Sequence, residues 1–232
     1  MHYGIHLLFT LVRPIEVAIL LSIRMKFTCI MILFVASECF AQKDCELRLN
    51  KDSIKVFTCI NENSKFKSVL TNFELHSNLS QLAAMVLDID HLGDWQYKTL
   101  SAKLLKKVNE REIIYHTEVA TPIFTSNRDF VIQLTIRQDP QTRVMTIDLV
   151  SISDYIPPVK GVVRVPYSKA RWTVKPLTST RVSVEYYIEI DIGGAVPPWL
   201  VNIVAPQAPY ETFKALQSKI RDYKGRASFV RE

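Results

Sequence analysis

Asp191-Ile192-Gly193-Gly194-Ala195-Val196-Pro197-Pro198-Trp199-Leu200-Val201-Asn202 is the stretch in which the hydrophobic period changes from two to about three and a half. A strand ends here, turns on two glycines and becomes a helix. Upstream, Val182, Val184, Tyr186, Ile188, Ile190 and Ile192 share one face, and Arg181, Ser183, Glu185, Glu189 and Asp191 share the other, so the strand has one buried side. Downstream, paired prolines suit a first helical turn, where their missing N–H groups have no partner to lose. The apolar set Trp199, Leu200, Val201, Ile203 and Val204 resumes at Phe213, Leu216, Ile220 and Tyr223, the spacing of a single helical stripe. Such a helix needs a sheet to lie on.

The chain before it supplies the strands. Period-two patterning predicts strands over 45–50, 54–62, 67–76, 101–108, 112–120, 128–138, 143–152, 161–176 and 181–192, nine in all, the eighth bent near Pro166. One helix interrupts them, capped by Asn78 and carrying Leu82, Met85, Val86 and Ile89 on one face. Pro157-Pro158 keeps residues 154–159 out of any central strand. In the strand after Arg128, Phe130, Ile132, Leu134 and Ile136 form a strongly apolar side, and Ala170, Trp172 and Val174 repeat it. That is much apolar surface for one long helix to cover. Periodicity leaves two arrangements open: a sheet curled around a packed core, or a sheet enclosing a cavity.

Composition bounds the class. With 232 residues, 48% hydrophobic and 22% charged, the chain buries a core of one ordinary domain. The net charge of +6 is spread along the chain without an aromatic-basic repeat, which argues against nucleic acid and leaves only a weak affinity for anionic membranes. Residues 1–41 read as a signal peptide or N-terminal extension: Met25-Lys26, the apolar run 27–35 and Ala36-Ser37-Glu38-Cys39-Phe40-Ala41 predict translation from Met25 and cleavage after Ala41. An uncleaved anchor is the rival, and a lipidated Cys39 a third reading with a poor lipobox. The expectation is an exported protein, periplasmic or secreted, whose domain occupies residues 42–232. Cys45 and Cys59 then form an even pair with thirteen residues between them, suited to a bridge across the first hairpin. Two buried thiols, or a catalytic or metal-binding pair, are the alternatives.

Motifs for catalysis are absent. No Gly-x-Ser-x-Gly, His-Glu-x-x-His or glycine-rich phosphate loop occurs, and Asp88-Ile89-Asp90-His91-Leu92-Gly93 lacks the ligands of a calcium loop. His116 and Glu118 share a strand face, as an acid-base pair or as a hydrogen-bonded structural pair. No metal and no cofactor are expected.

Four landmarks stand in one order and spacing: Asn127-Arg128-Asp129-Phe130-Val131, Gly161-Val162-Val163-Arg164, Trp172-Thr173-Val174-Lys175-Pro176 and the opening stretch 191–202. In these the chain resembles the START family, the steroidogenic acute regulatory protein-related lipid transfer domains, from about Glu46 to Tyr223. The resemblance implies an α+β helix-grip fold, a curved nine-stranded antiparallel sheet wrapped around a long C-terminal helix with an internal hydrophobic cavity for one lipid. It implies a lipid-binding or lipid-transfer module, monomeric, in transient contact with a membrane and without covalent catalysis. The lining it implies comes from Phe130, Ile132, Leu134, Ile136 and Trp172, from Val184, Tyr186, Ile188 and Ile190, and from Trp199, Ile203 and Phe213. Glu118 matches the acid of the buried acid-arginine pair of sterol-binding members, but the arginine position is Leu134, which puts a sterol-type anchor in doubt. Arg128 and Asp129 point to opposite faces and are expected to brace the loop before their strand. The loop carrying Ile123 and Phe124, and a C-terminal helix broken at Pro206 and Pro209, suggest a gate. A polyketide cyclase of the wider superfamily, using Glu118, His116 or Tyr186, and a regulatory module with a closed core remain the rivals.

Overall fold

The structure is a computed structural model that describes residues 44–61, 64–121 and 125–232. The expected signal segment and the gate residues Ile123 and Phe124 lie outside the described residues.

Ten strands form one sheet: β1 Cys45–Lys51, β2 Ile54–Cys59, β3 Ser68–Leu75, β4 Thr99–Asn109, β5 Glu112–Val119, β6 Arg128–Gln138, β7 Met145–Ser151, β8 Val163–Arg164, β9 Tyr167–Thr178 and β10 Arg181–Asp191. Nine of them run in the order β1-β2-β3-β10-β9-β7-β6-β5-β4, every neighbour antiparallel. The tenth corrects the expectation of one long bent strand over 161–176. Pro166 has no N–H for a ladder, so the chain breaks there; β8 pairs parallel with the start of β6 while β9 joins β7 and β10.

Local chemistry explains the turns. Asp52 and Ser53 both take positive φ, 53° and 61°, as a two-residue hairpin turn between β1 and β2 requires. Cys45 and Cys59 stand opposite each other in that hairpin and are joined by a disulfide. The first helix, α1 (Leu79–Leu87), is capped by Asn78, whose Oδ1 accepts from the Gln81 N–H at 2.9 Å. A 3-10 helix, Ile89–Asp94, follows and leads to the buried Trp95.

The C-terminal region is two helices, α2 Pro198–Val204 and α3 Gln207–Lys219, so the break expected at Pro206 is present. They part at Ala205-Pro206. Pro209 does not interrupt anything, because it sits in the first turn of α3, where no intrahelical N–H bond is lost. Helix α3 packs Phe213 and Leu216 onto the sheet, with Ile220 just past its end. It is tied to the first hairpin through Asp52, which accepts from the Tyr210 hydroxyl at 2.6 Å and lies 3.0 Å from Lys214 Nζ.

Candidate functional site

One face of the sheet, turned toward α1 and α3, carries the core. Its covering changes along the strands. At one end Val182 and Val184 of β10, Val174 of β9, Met145 and Ile147 of β7 and Leu134 and Ile136 of β6 are all 1% exposed or less. Toward the other end, on the same face, Tyr186, Ile188 and Ile190 of β10, Leu149 of β7 and Phe130 of β6 are only half-buried. Phe213 marks the boundary: it stacks on Phe73 at 4.3 Å and meets Tyr186 and Trp172 edge-on at 5.0 and 5.2 Å.

The expected lining residues therefore divide. Leu134, Ile136, Val184, Trp172 and Phe213 face inward but belong to the packed end, with Ile132 nearly as covered. Phe130, Tyr186, Ile188 and Ile190 retain free surface on the inner side.

Three expectations are overturned. Glu118 is not on the inner wall. It pairs across the ladder with Asp129, so its carboxylate shares the outer face with His116, and it accepts from Asn127 Nδ2 at 2.8 Å. The inner face of β5 is Ile113, Tyr115 and Thr117, all buried. Trp199 and Ile203 are 64% and 60% exposed; Leu200 and Val204 are exposed too, and of this apolar set only Val201 is buried. A seven-residue helix held by a glycine turn on one side and Pro206 on the other has turned its apolar face outward.

Helix α2 is nonetheless placed with purpose, across the half-covered end. Before it, Gly193 and Gly194 adopt φ of 64° and 72°, and a Cβ on Gly194 would stand 3.2 Å from Arg128 Nη2. Within it, Asn202 Oδ1 accepts the N–H of Lys67, just before β3, at 2.9 Å. The glycine turn and the helix together thus run from the start of β6 to the start of β3.

The landmark residues of the sequence gather at this end. Arg128, on the inner face and 4% exposed, donates to the carbonyls of Ser126 at 2.5 Å, Gly193 at 3.3 Å and Ile192 at 3.4 Å. Burial lowers its pKa from the usual guanidinium value, and it forms no ion pair with a carboxylate among the described residues. Asp129 points the other way. Arg164 grips it through Nε at 3.0 Å and Nη2 at 2.8 Å, and His116 Nε2 lies 2.9 Å from it. Burial would push the Asp129 carboxyl up, but the bonds and charges of Arg164 and His116 outweigh it and hold the pKa below the usual carboxylate range. Arg164 also takes the carbonyls of Ser153 and Ile156, pinning the proline loop to the outer face. Both residues of the pair are braces, one on each side of β6.

Sequence reasoning missed Tyr115, Leu149, Trp95 and the hub role of Arg164. A signal existed for Tyr115: in 113–118 the odd positions Ile113, Tyr115 and Thr117 are less polar than Ile114, His116 and Glu118 taken together. Burial pushes the phenols of Tyr115 and Tyr186 far above their ordinary range, so both stay neutral. Two surface hollows lie elsewhere. The larger, about 560 Å³, is bordered by Ser153 to Pro158 with Arg164 and Pro166, and the guanidinium in it is already engaged with Asp129.

Known proteins resemble this arrangement. A family model described as the START domain matches residues 53–221. An uncharacterised protein of Pseudomonas aeruginosa is 28% identical over 184 residues, 79% of this chain and 90% of that one. Among solved structures, a STAR-related lipid transfer protein fragment from Xanthomonas axonopodis superposes with a TM-score of 0.72 at 28% identity, covering 77% of this chain and 99% of that one. Human StAR-related lipid transfer protein 5 shares the fold at 13% identity, with a TM-score of 0.66 over 89% of this chain and 98% of its own.

Proposed function

Because this chain belongs to the START domain family, we propose that it is a lipid-binding and lipid-transfer module that holds one hydrophobic molecule against the half-covered end of its sheet. The observation that carries this reading is the set Phe130, Leu149, Ile188 and Ile190: inward apolar side chains that the protein itself covers only in part. Burying hydrocarbon there is worth about 0.8 kcal/mol per methylene, so a chain of roughly a dozen carbons supplies on the order of 10 kcal/mol gross with few polar contacts. No covalent step is needed, and none of the motifs for one is present in the sequence. The exposed apolar side of α2 is the part suited to meet a membrane while the lipid crosses. We also propose that the protein works outside the reducing cytosol, supported by the Cys45–Cys59 bridge, which persists in oxidising compartments.

Native mass spectrometry of gently purified protein tests the lipid reading. One lipid mass per chain is expected; a chain that carries none and takes none from vesicles would refute it. Thiol titration of material never exposed to reductant tests the bridge, and two free thiols in the mature domain would rule out its role.

A further inference from the structure

The first hairpin is fastened at its two ends in different ways. At its turn, Asp52 accepts from the Tyr210 hydroxyl at 2.6 Å and lies 3.0 Å from Lys214 Nζ, both on α3. At its open end, Cys45 and Cys59 face each other across the ladder and are joined by the disulfide. Between these points β1 has little to hold it. It is an edge strand, no residue in it is fully buried, and its ladder with β2 is irregular between Leu47 and Leu49. A strand of that kind frays from its end, and the covalent bond at the open end prevents it.

The bridged corner is also where α2 is anchored. The β2–β3 ladder ends at the pair Cys59 and Ser68. The residue before Ser68, Lys67, gives its N–H to Asn202 Oδ1 of α2 at 2.9 Å, and its Nζ lies 3.9 Å from Glu46, the neighbour of Cys45. Lys67 thus meets the bridged hairpin on one side and α2 on the other. On the α2 side this bond has few substitutes. Asn202 and the Trp199 indole are the only polar side chains among residues 198–204, Trp199 is exposed, and Val201 is the one buried residue of the helix. Seven residues are too few for a helix to persist unsupported in water, so the seating of α2 depends on such anchors.

We propose that the Cys45–Cys59 bridge is a redox-set clamp on α2, tight when the disulfide is formed and released when it is reduced. The reductant is a dithiol, as a small molecule or on another protein. Cys45 keeps some exposure and Cys59 has none, so a thiolate attacks the Cys45 sulfur, and Cys59 leaves as a thiolate and takes up a proton. The second thiol of the reductant then displaces Cys45, which is protonated in turn. Two electrons and two protons reach the protein, and the reductant becomes a disulfide. The corner then frays, Lys67 moves with it, and Asn202 loses its partner. On the lipid-binding reading, from which this last consequence follows, α2 yields more readily and the hydrophobic molecule exchanges faster.

Hydrogen exchange of the protein with its bridge intact, and again after reduction by a phosphine, tests the clamp without any lipid. Reduction is expected to speed exchange at the Lys67 amide and at residues 200–205 on the order of tenfold, beyond any change in β7 and β9. Cys45→Ser with Cys59→Ser should match the reduced protein and ignore the phosphine. Asn202→Ala with the bridge intact should exchange fast already and gain little on reduction, because the link is cut; it decides the matter even if the serine variant fails to fold. Unchanged exchange in α2, equal acceleration in β7 and β9, or a full response surviving in Asn202→Ala would each overturn the clamp. Transfer of pyrene-labelled phosphatidylcholine between vesicles should rise several-fold on reduction. Transfer at one rate in both states would overturn the clamp as a control of exchange. No transfer in either state, with hydrogen exchange responding, would overturn the lipid-transfer reading and leave the clamp standing.

Discussion

The two ends of the inner face are made of the same kinds of residue and do different things. Val182 and Val184 at one end, and Ile188 and Ile190 at the other, lie on one strand, one face and one alternation. The first pair is sealed by α3 and the neighbouring strands; the second is left half-covered beneath a seven-residue helix whose own apolar side faces out. Stability therefore comes from the packed end, and the capacity to hold something else comes from the other. A protein that sealed both ends would be more stable and empty of use as a carrier.

The sharpest way to break this division is to place a charge in the packed end. Leu134→Asp should lower the unfolding free energy by at least about 4 kcal/mol, since an unpaired carboxylate would be buried among aliphatic groups. From the face pattern alone, the same change would be expected only to block lipid uptake; the near-complete burial of Leu134 makes it a folding lesion. Gln133→Asp, on the outer face, should cost far less, although it loses a hydrogen bond to Glu112. Urea melts of the two variants decide it, and equal losses would mean the faces are reversed.

Next in size is a pair of truncations. Phe213→Ala removes the ring that stacks on Phe73 and joins Tyr186 and Trp172, and should cost about 3–5 kcal/mol. Ile190→Ala, at the half-covered end, should cost under about 1.5 kcal/mol, because less surface is lost from packing. Lipid uptake should rank them in the opposite order once each loss is corrected for the folded fraction. Similar stability losses would erase the distinction between the ends.

Much of this was legible in the residues. The strands, the Asn78 cap, the first hairpin and its bridge follow from period, turn chemistry and cysteine spacing, all local properties. What was not legible is which neighbour covers a given apolar side. Trp199 and Ile203 have the spacing of a buried stripe, but α2 is separated from α3 at Pro206, and nothing in a period says whether a short free-standing helix turns its apolar side in or out. Glu118 was misplaced for a related reason. Its face is defined only by the register with β6, where Glu118 meets Asp129, and a match to relatives at one position does not carry register with it.

Acid should act on the half-covered end through its outer brace. Asp129 has a pKa lowered by folding, so its contribution is complete above the ordinary carboxylate value of about 3.9 and is lost as pH falls through the lower native value. Protonation releases Arg164, and with it the carbonyls of Ser153 and Ile156. Hydrogen exchange below about pH 4 should therefore rise around 153–165 before it rises in the packed strands. Asp129→Asn should show the same local opening at neutral pH. Uniform exchange across the sheet would mean that the brace serves the whole fold rather than one end.

The smallest effect on stability should come from α2, and it is the most informative about function. Trp199 and Ile203 are exposed, so Trp199→Ser with Ile203→Ser removes almost no packing and should change stability by no more than about 0.5 kcal/mol. Four exposed apolar side chains on one seven-residue helix are, however, a costly surface to keep in water, and α2 lies at the end of the inner face where Phe130, Ile188 and Ile190 keep free surface. If that helix enters the lipid interface as the cargo passes, the double variant should move a labelled lipid between vesicles several-fold more slowly, while its occupancy with lipid at equilibrium stays the same. Occupancy and rate answer different questions here. A fall in both would make Trp199 and Ile203 part of the binding wall after all, and unchanged transfer with unchanged stability would leave α2 a passive cover whose apolar side needs another explanation.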